Sequence, residues 1–238
     1  MRRAVRRVTT DALLLRAVEY GEADVIATFL GEAEGRTAVI ARGARRGTAR
    51  LGGALEPFHT VRIGYDDRGT EMGTLKEAAI KRVRIGLAQD LDALDAAGRA
   101  LRWVRHVCPP KTPEPDIFGD APALLDALDD APLRSQIALA AFGLKLLGEA
   151  GYGLELDRCV RCGKPCPDDR PGVFDTTRGG LVCRACGGGR LLLPPAARIA
   201  ARTLARGGAL PDEVAPEITA ILIELVDASM AAHTGYEA

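Results

Sequence analysis

The residues best suited to do chemistry are four cysteines. Cys159 and Cys162 are two residues apart, Cys183 and Cys186 are two residues apart, and 20 residues separate the pairs. A two-residue gap lets both thiolates of a tight turn reach one ion, and Zn2+ prefers four such soft ligands in a tetrahedron. Gly163 and Gly187, each directly after a pair, supply the backbone freedom that such a turn needs. Four thiolates leave no coordination position for water or substrate. One zinc ion of structural rather than catalytic character is therefore expected. The competing reading, free thiols or a redox pair, is disfavoured by the doubled spacing. Cys166 lacks a partner two residues away and reads as a spare thiol; Cys108 reads as a buried or linker cysteine.

A second group of residues could hold an anion. Residues 36–50, RTAVIARGARRGTAR, carry Arg36, Arg42, Arg45, Arg46 and Arg50 with no acid. Guanidinium groups offer paired donors to phosphate, and the interspersed glycines permit close approach of a nucleic-acid backbone. Phe29, Phe58 and Tyr65 are available as stacking platforms, but in a chain with only 4% aromatic residues they are expected to fill the core. Catalysis finds little support. His59, His106 and His233 stand apart from any nucleophile or acid in sequence, and no nucleophile elbow, phosphate-binding lysine motif or dinucleotide fingerprint occurs.

The elements that must position these groups follow from periodicity. With 47% hydrophobic residues the chain can build a packed core. Lysine plus arginine and aspartate plus glutamate each total 32, so any basic surface must be local. Up to about residue 80 the pattern has period two, or short apolar runs broken by glycine. It predicts strands over 10–18, 23–31, 36–43, 58–66 and 70–80, enough for a small closed barrel of the OB-fold type. The long, basic stretch from Gly43 to Glu56 is either functional or disordered. Beyond Lys81 the period is helical. Residues 88–107 form an amphipathic helix with Leu91, Leu94, Leu101 and Val104 on one side. The segment 108–116, CPPKTPEPD, breaks it. Further helices are expected from about Pro132 to Gly151, over 195–207 and over 216–234. The fold class is thus multidomain α+β, an N-terminal five-stranded OB-fold β-barrel followed by an all-α domain with an inserted four-cysteine zinc module. The expected boundaries are 1–80 for the barrel, 81–156 and 191–238 for the two parts of the helical domain, and 157–190 for the zinc module.

The opening MRRAVRRVTTDALLLRAV has an apolar stretch of four residues, too short for a secretion signal, and no run approaches the roughly 18 apolar residues of a membrane span. A cytoplasmic, nucleoid-associated protein without a membrane partner is expected, in a compartment that keeps six cysteines reduced.

Several segments together resemble the bacterial DNA repair protein RecO family. VEYGEADVIATFLGEAEGRTAVIARGARR (18–46) and GGALEPFHTVRI (52–63) look like that family's early barrel strands and basic loop. FGLKLLGEAGYGLELDRCVRCGK (142–164) and FDTTRGGLVCRAC (174–186) look like its helix leading into zinc knuckles. The resemblance implies an N-terminal OB-fold, a helical domain interrupted by a zinc module, and no enzymatic site. It further implies binding of single- and double-stranded DNA, annealing of complementary strands, and cooperation with RecR to load RecA onto strands coated by single-stranded DNA-binding protein. A zinc-stapled adaptor that binds proteins without touching DNA is the alternative.

Overall fold

The computed structural model describes residues 5–46, 51, 53–211 and 214–237. It divides into two compact units, Met1–Asp130 and Ala131–Ala238.

In the first unit, β1 (Arg6–Tyr20), β2 (Asp24–Gly31), β3 (Gly35–Ala41), β4 (Thr60–Asp67) and β5 (Met72–Arg82) close into a barrel in the order β1-β2-β3-β5-β4. All five predicted strands are present. Closure depends on β1, whose first half pairs with β4 and whose second half pairs with β2. A register shift between Leu14 and Arg16 bends it between these two partners, as barrel closure requires. Alternate side chains point inward: Ala12, Leu14, Ala27, Phe29, Val39, Ala41, Val61, Ile63 and Tyr65 form the barrel core. Leu51 and Ala54 join that core, so the far end of the basic stretch packs against the barrel.

Helices α1 (Leu91–Val107) and α2 (Pro115–Asp130) belong to the same unit as the barrel. The α1 stripe differs from the expected one. Asp90 caps the helix through the Ala93 amide at 2.9 Å, so Leu91 stands in the first turn and is 84% exposed. Leu101 and Val104 are buried as expected, and Ala93, Ala96, Ala97, Ala100 and Trp103 complete the buried face, where small side chains allow close packing. α2 occupies a stretch for which the sequence reading offers no helix. Its stripe, Ile117, Ala121, Leu124, Leu125 and Leu128, has helical spacing, but Pro122 interrupts it and prolines crowd the chain before it. Arg84, its side chain almost wholly buried, ties barrel to helix by donating to the Phe58 carbonyl (2.7 Å), the Pro122 carbonyl (3.2 Å) and Asp126 (2.9 Å).

The segment after α1 does not run free. Pro110 bridges to Arg36 in parallel, and the Lys111 amide donates to the Arg36 carbonyl at 2.9 Å, extending the sheet where β3 lacks a partner.

The second unit holds α3 (Ser135–Glu149), a three-stranded sheet of β6 (Gly172–Asp175), β7 (Gly180–Leu181) and β8 (Leu191–Leu193), then α4 (Pro195–Ala205) and α5 (Pro216–Thr234). α3 packs on α4 and α5. Among the described residues no helix is long and apolar enough to cross a membrane.

Candidate metal centre and nucleic-acid interface

The two cysteine pairs converge. Their four sulfurs lie within 4.8 Å of one another, and Cys162 Sγ is 3.7 Å from Cys183 Sγ. A tetrahedron with metal–sulfur bonds of about 2.3 Å has edges of about 3.8 Å, so the cluster has the size of a four-thiolate metal site. Each pair sits in a turn closed by its glycine. The Gly163 amide donates to the Cys159 carbonyl at 2.8 Å with φ at +72°, and the Gly187 amide donates to the Arg184 carbonyl at 3.1 Å with φ at +107°. The first turn is held beside β7 by the Val160 amide, which donates to the Leu181 carbonyl at 2.8 Å.

The electrostatics of the cluster also call for a cation. The Cys183 amide donates to Cys159 Sγ at 3.4 Å, and this and neighbouring amides hold the Cys159 thiol down to about 6. Hydrogen bonding with Cys183 and Cys162, together with the nearby Cys159, pushes Cys186 up to about 12. Four crowded sulfurs cannot all ionise without a metal between them. Cys166 lies outside the cluster, its Sγ 3.9 Å from the Pro171 carbonyl. Cys108 is buried, and burial pushes its thiol up to about 12, which makes it inert.

Arg198 anchors the cysteine segment, a role the sequence reading missed. From α4, its fully buried guanidinium donates to the carbonyls of Leu156 (2.9 Å), Cys166 (3.2 Å), Pro167 (2.5 Å) and Arg170 (3.4 Å). One turn on, Arg202 binds Asp157 (2.7 Å) and Asp168 (2.9 Å), and Arg206 reaches Asp157 at 2.6 Å. Hydrogen bonds from Arg202 hold both carboxyls below the usual carboxylate range. Arg198, Arg202 and Arg206 recur every fourth residue, a signal visible in the sequence but indistinguishable there from a solvated face.

The arginines of the basic stretch are not equivalent. Arg36 lies on β3 and donates from Nε to the Cys108 carbonyl at 2.7 Å, at the C-terminal end of α1. Arg42 and Arg46 are exposed. Arg45 pairs with Glu19 at 3.0 Å, and its amide donates to the Ala23 carbonyl at 3.0 Å. Arg50 lies outside the described residues. The start of the loop is moored to the β1–β2 hairpin, because Asp24 Oδ1 also accepts from the Gly43 amide at 2.8 Å. Phe29 and Tyr65 are in the barrel core and Phe58 is half-buried, so none of them is an open platform. Tyr20 is open: it ends β1 in that same hairpin and is 56% exposed. Its position before a turn, YGEAD, was the available clue.

The histidines form no reactive set. His59 lies 3.9 Å from Glu56, and His233 stacks on Tyr152 with ring centroids 5.0 Å apart.

A closed five-stranded barrel whose basic loop starts moored to a hairpin, joined in one chain to a four-thiol cluster of the size of a metal site, defines a class of barrel-and-knuckle protein. Comparison with known proteins narrows the class. Residues 1–84 match the family description "Recombination protein O N terminal" and residues 88–235 match "Recombination protein O C terminal". The chain belongs to the recombination protein O family. It is 38% identical over 200 residues to the DNA repair protein RecO of Anaeromyxobacter sp. (strain K), covering 84% of this chain and 77% of the relative. The RecO proteins of Myxococcus xanthus (strain DK1622) and Geobacter metallireducens are each 33% identical, covering 97% and 94% of this chain and 94% and 91% of theirs.

Proposed function

We propose that this protein is a DNA-binding recombination mediator acting in DNA repair: it anneals complementary strands and helps RecR load RecA onto strands coated by single-stranded DNA-binding protein. The observation that carries this reading is the exposed pair Arg42 and Arg46, on a loop moored to the hairpin that bears exposed Tyr20, in a chain of the recombination protein O family. The five-stranded barrel is read as an OB-fold, whose outer face and loops suit unpaired strands. Arginines neutralise phosphates and the aromatic ring stacks on bases. Annealing then needs no catalytic group, because screening the repulsion between two backbones lets base pairing supply the driving energy. The metal is read as one structural Zn2+ on Cys159, Cys162, Cys183 and Cys186, which would organise residues 157–190 as a module within the helical part of the chain. The DNA-binding set is Arg36, Arg42, Arg45, Arg46 and Arg50, with the site of action among DNA in the cytoplasm.

Salt-titrated fluorescence anisotropy of a labelled dT20 oligonucleotide tests the reading, using wild type and an Arg42→Ala/Arg46→Ala variant. Each lost phosphate contact lowers the slope of log K against log salt by about 0.7 on single strands, so the double variant is expected to bind more weakly with a slope reduced by about 1.4. Absence of wild-type binding at low salt would overturn the reading in favour of a protein adaptor.

A further inference from the structure

A second group of arginines lies on the outside of the barrel. Arg16 of β1 pairs across to Thr28 of β2, and Thr28 pairs to Ala38 of β3, so the three share one rung and one face. Arg36, two residues before Ala38, is on the same face by the alternation of a strand; the intervening Thr37 is buried, as are Val39 and Ala41. This outer face is partly covered: Leu13, Leu15 and Leu30 are buried yet stand outside the barrel core, and α1 packs on β1. The hydrogen bond from Arg36 to the Cys108 carbonyl fixes the end of α1 at β3. Arg102 and Arg105, one turn apart on α1, thereby join Arg16 and Arg36.

The group has no internal neutralisation. Among the described residues, Arg16, Arg102 and Arg105 have no hydrogen-bond or ion-pair partner, and Arg36 uses only Nε. Glu114 acts on the buried Cys108 thiol and pairs with none of the four. Burial, and then the charges of Arg16, Arg102 and Arg36, make the Arg105 guanidinium easier to deprotonate than usual, which marks like charges held together without a counterion.

We propose that Arg16, Arg36, Arg102 and Arg105 form a phosphate-binding cluster that carries a DNA strand from the barrel onto helix α1. This rests on the DNA-binding reading above. The geometry favours a long polyanion over a small one. Arg36 lies on the outer face of β3 and Arg42 in the turn directly after Ala41, at most about 20 Å apart at the rise of a strand, so the cluster and the basic loop mark two ends of one track. A flexible strand with evenly spaced charges can follow both. The arginines on α1 are absent from the basic stretch that the sequence singles out, because only the packing of α1 on β1 brings them to it.

The test uses the full chain and compares wild type, an Arg102→Ala/Arg105→Ala variant and the Arg42→Ala/Arg46→Ala variant on labelled dT20, with thermal unfolding measured alongside. Arg36 is left intact because it holds the end of α1. The α1 variant is expected to weaken binding and lower the salt slope by about 1.4, while its unfolding temperature stays equal to or above that of wild type, since repulsion has been removed. Wild-type affinity and slope in the α1 variant, with binding lost in the loop variant, would overturn the cluster and leave the DNA-binding reading standing. A fall in unfolding temperature with an unchanged slope would assign these arginines to packing and overturn it as well. Loss of binding to a polyglutamate peptide with dT20 binding retained would make the partner an acidic protein, again overturning the proposal. No wild-type binding to dT20 would remove both readings together.

Discussion

Arg198 donates from Nη1 to the carbonyls of Leu156 and Cys166 and from Nη2 to those of Pro167 and Arg170; its Nε has no partner. A carbonyl carries only a partial negative charge, so several are needed to offset one desolvated guanidinium. The nearest full countercharge, Asp168, is 3.6 Å away and largely exposed. Removal of the side chain takes that donor from the Leu156, Cys166 and Arg170 carbonyls, while the Pro167 carbonyl keeps the Arg170 amide at 3.1 Å, and it opens space at the base of the cysteine segment. Arg198→Ala is therefore expected to destabilise the protein by about 3 kcal/mol, seen as a fall in Tm of roughly 6–12 °C. Arg198→Lys is expected to recover little, since an ammonium cannot fork to carbonyls on both sides. An unchanged Tm in the alanine variant would show that water replaces the guanidinium at no cost. The cysteines differ from Arg198 in legibility. Their type and spacing announce a metal, whereas an arginine in a helical sequence looks the same whether it faces water or four carbonyls.

Between elements, the β1–β2 hairpin and the first residues after β3 act as one piece, because Asp24 and the Ala23 carbonyl tie down Gly43 and Arg45. On the DNA-binding reading proposed above, that leaves Arg42 and Arg46 to meet a phosphate backbone and Tyr20 to meet a base. A stacked base is worth about 1–3 kcal/mol, so Tyr20→Ala is expected to weaken dT20 binding roughly 5- to 150-fold, and Tyr20→Phe, which keeps the ring face, to bind like wild type. Equal binding by wild type and Tyr20→Ala in the anisotropy titration would exclude stacking at this position. The helices show where element-scale reading stops. α2 is hidden in the sequence because Pro122 breaks the run by which a helix is recognised, yet a single lost amide is tolerated where Ile117, Leu124, Leu125 and Leu128 are buried. Of the stripe that periodicity assigns to α1, Leu101 and Val104 are buried, Leu94 is half-buried and Leu91 is exposed, and Trp103 and four alanines complete the face, since spacing gives a face its width but not its exact direction.

The chain divides into two units, and metal removal should affect only one of them. Residues 157–190 have just short strands and turns to hold them, besides the arginines of α4, so a metal on the four cysteines would contribute directly to their folding. Treatment with a chelator is expected to speed amide hydrogen exchange in 157–190 while amides of β1 to β5, held by a closed ladder, keep their protection. Equal acceleration in both units, or none, would contradict a local role for the metal. The sequence by itself determined the five barrel strands, four of the five α-helices among the described residues, the cysteine tetrad and the family, but not the short strands β6 to β8, because alternation, helical period and two-residue thiol spacing are local patterns that survive in one dimension. Tertiary structure alone decided which arginines are available. Arg45 meets Glu19, Arg36 meets the Cys108 carbonyl, Arg198 is buried, and Arg102 and Arg105 are brought to Arg16, each through residues distant in sequence. A guanidinium has the same composition in every one of these settings; its partners, and hence its free charge, exist only once the chain has folded back on itself.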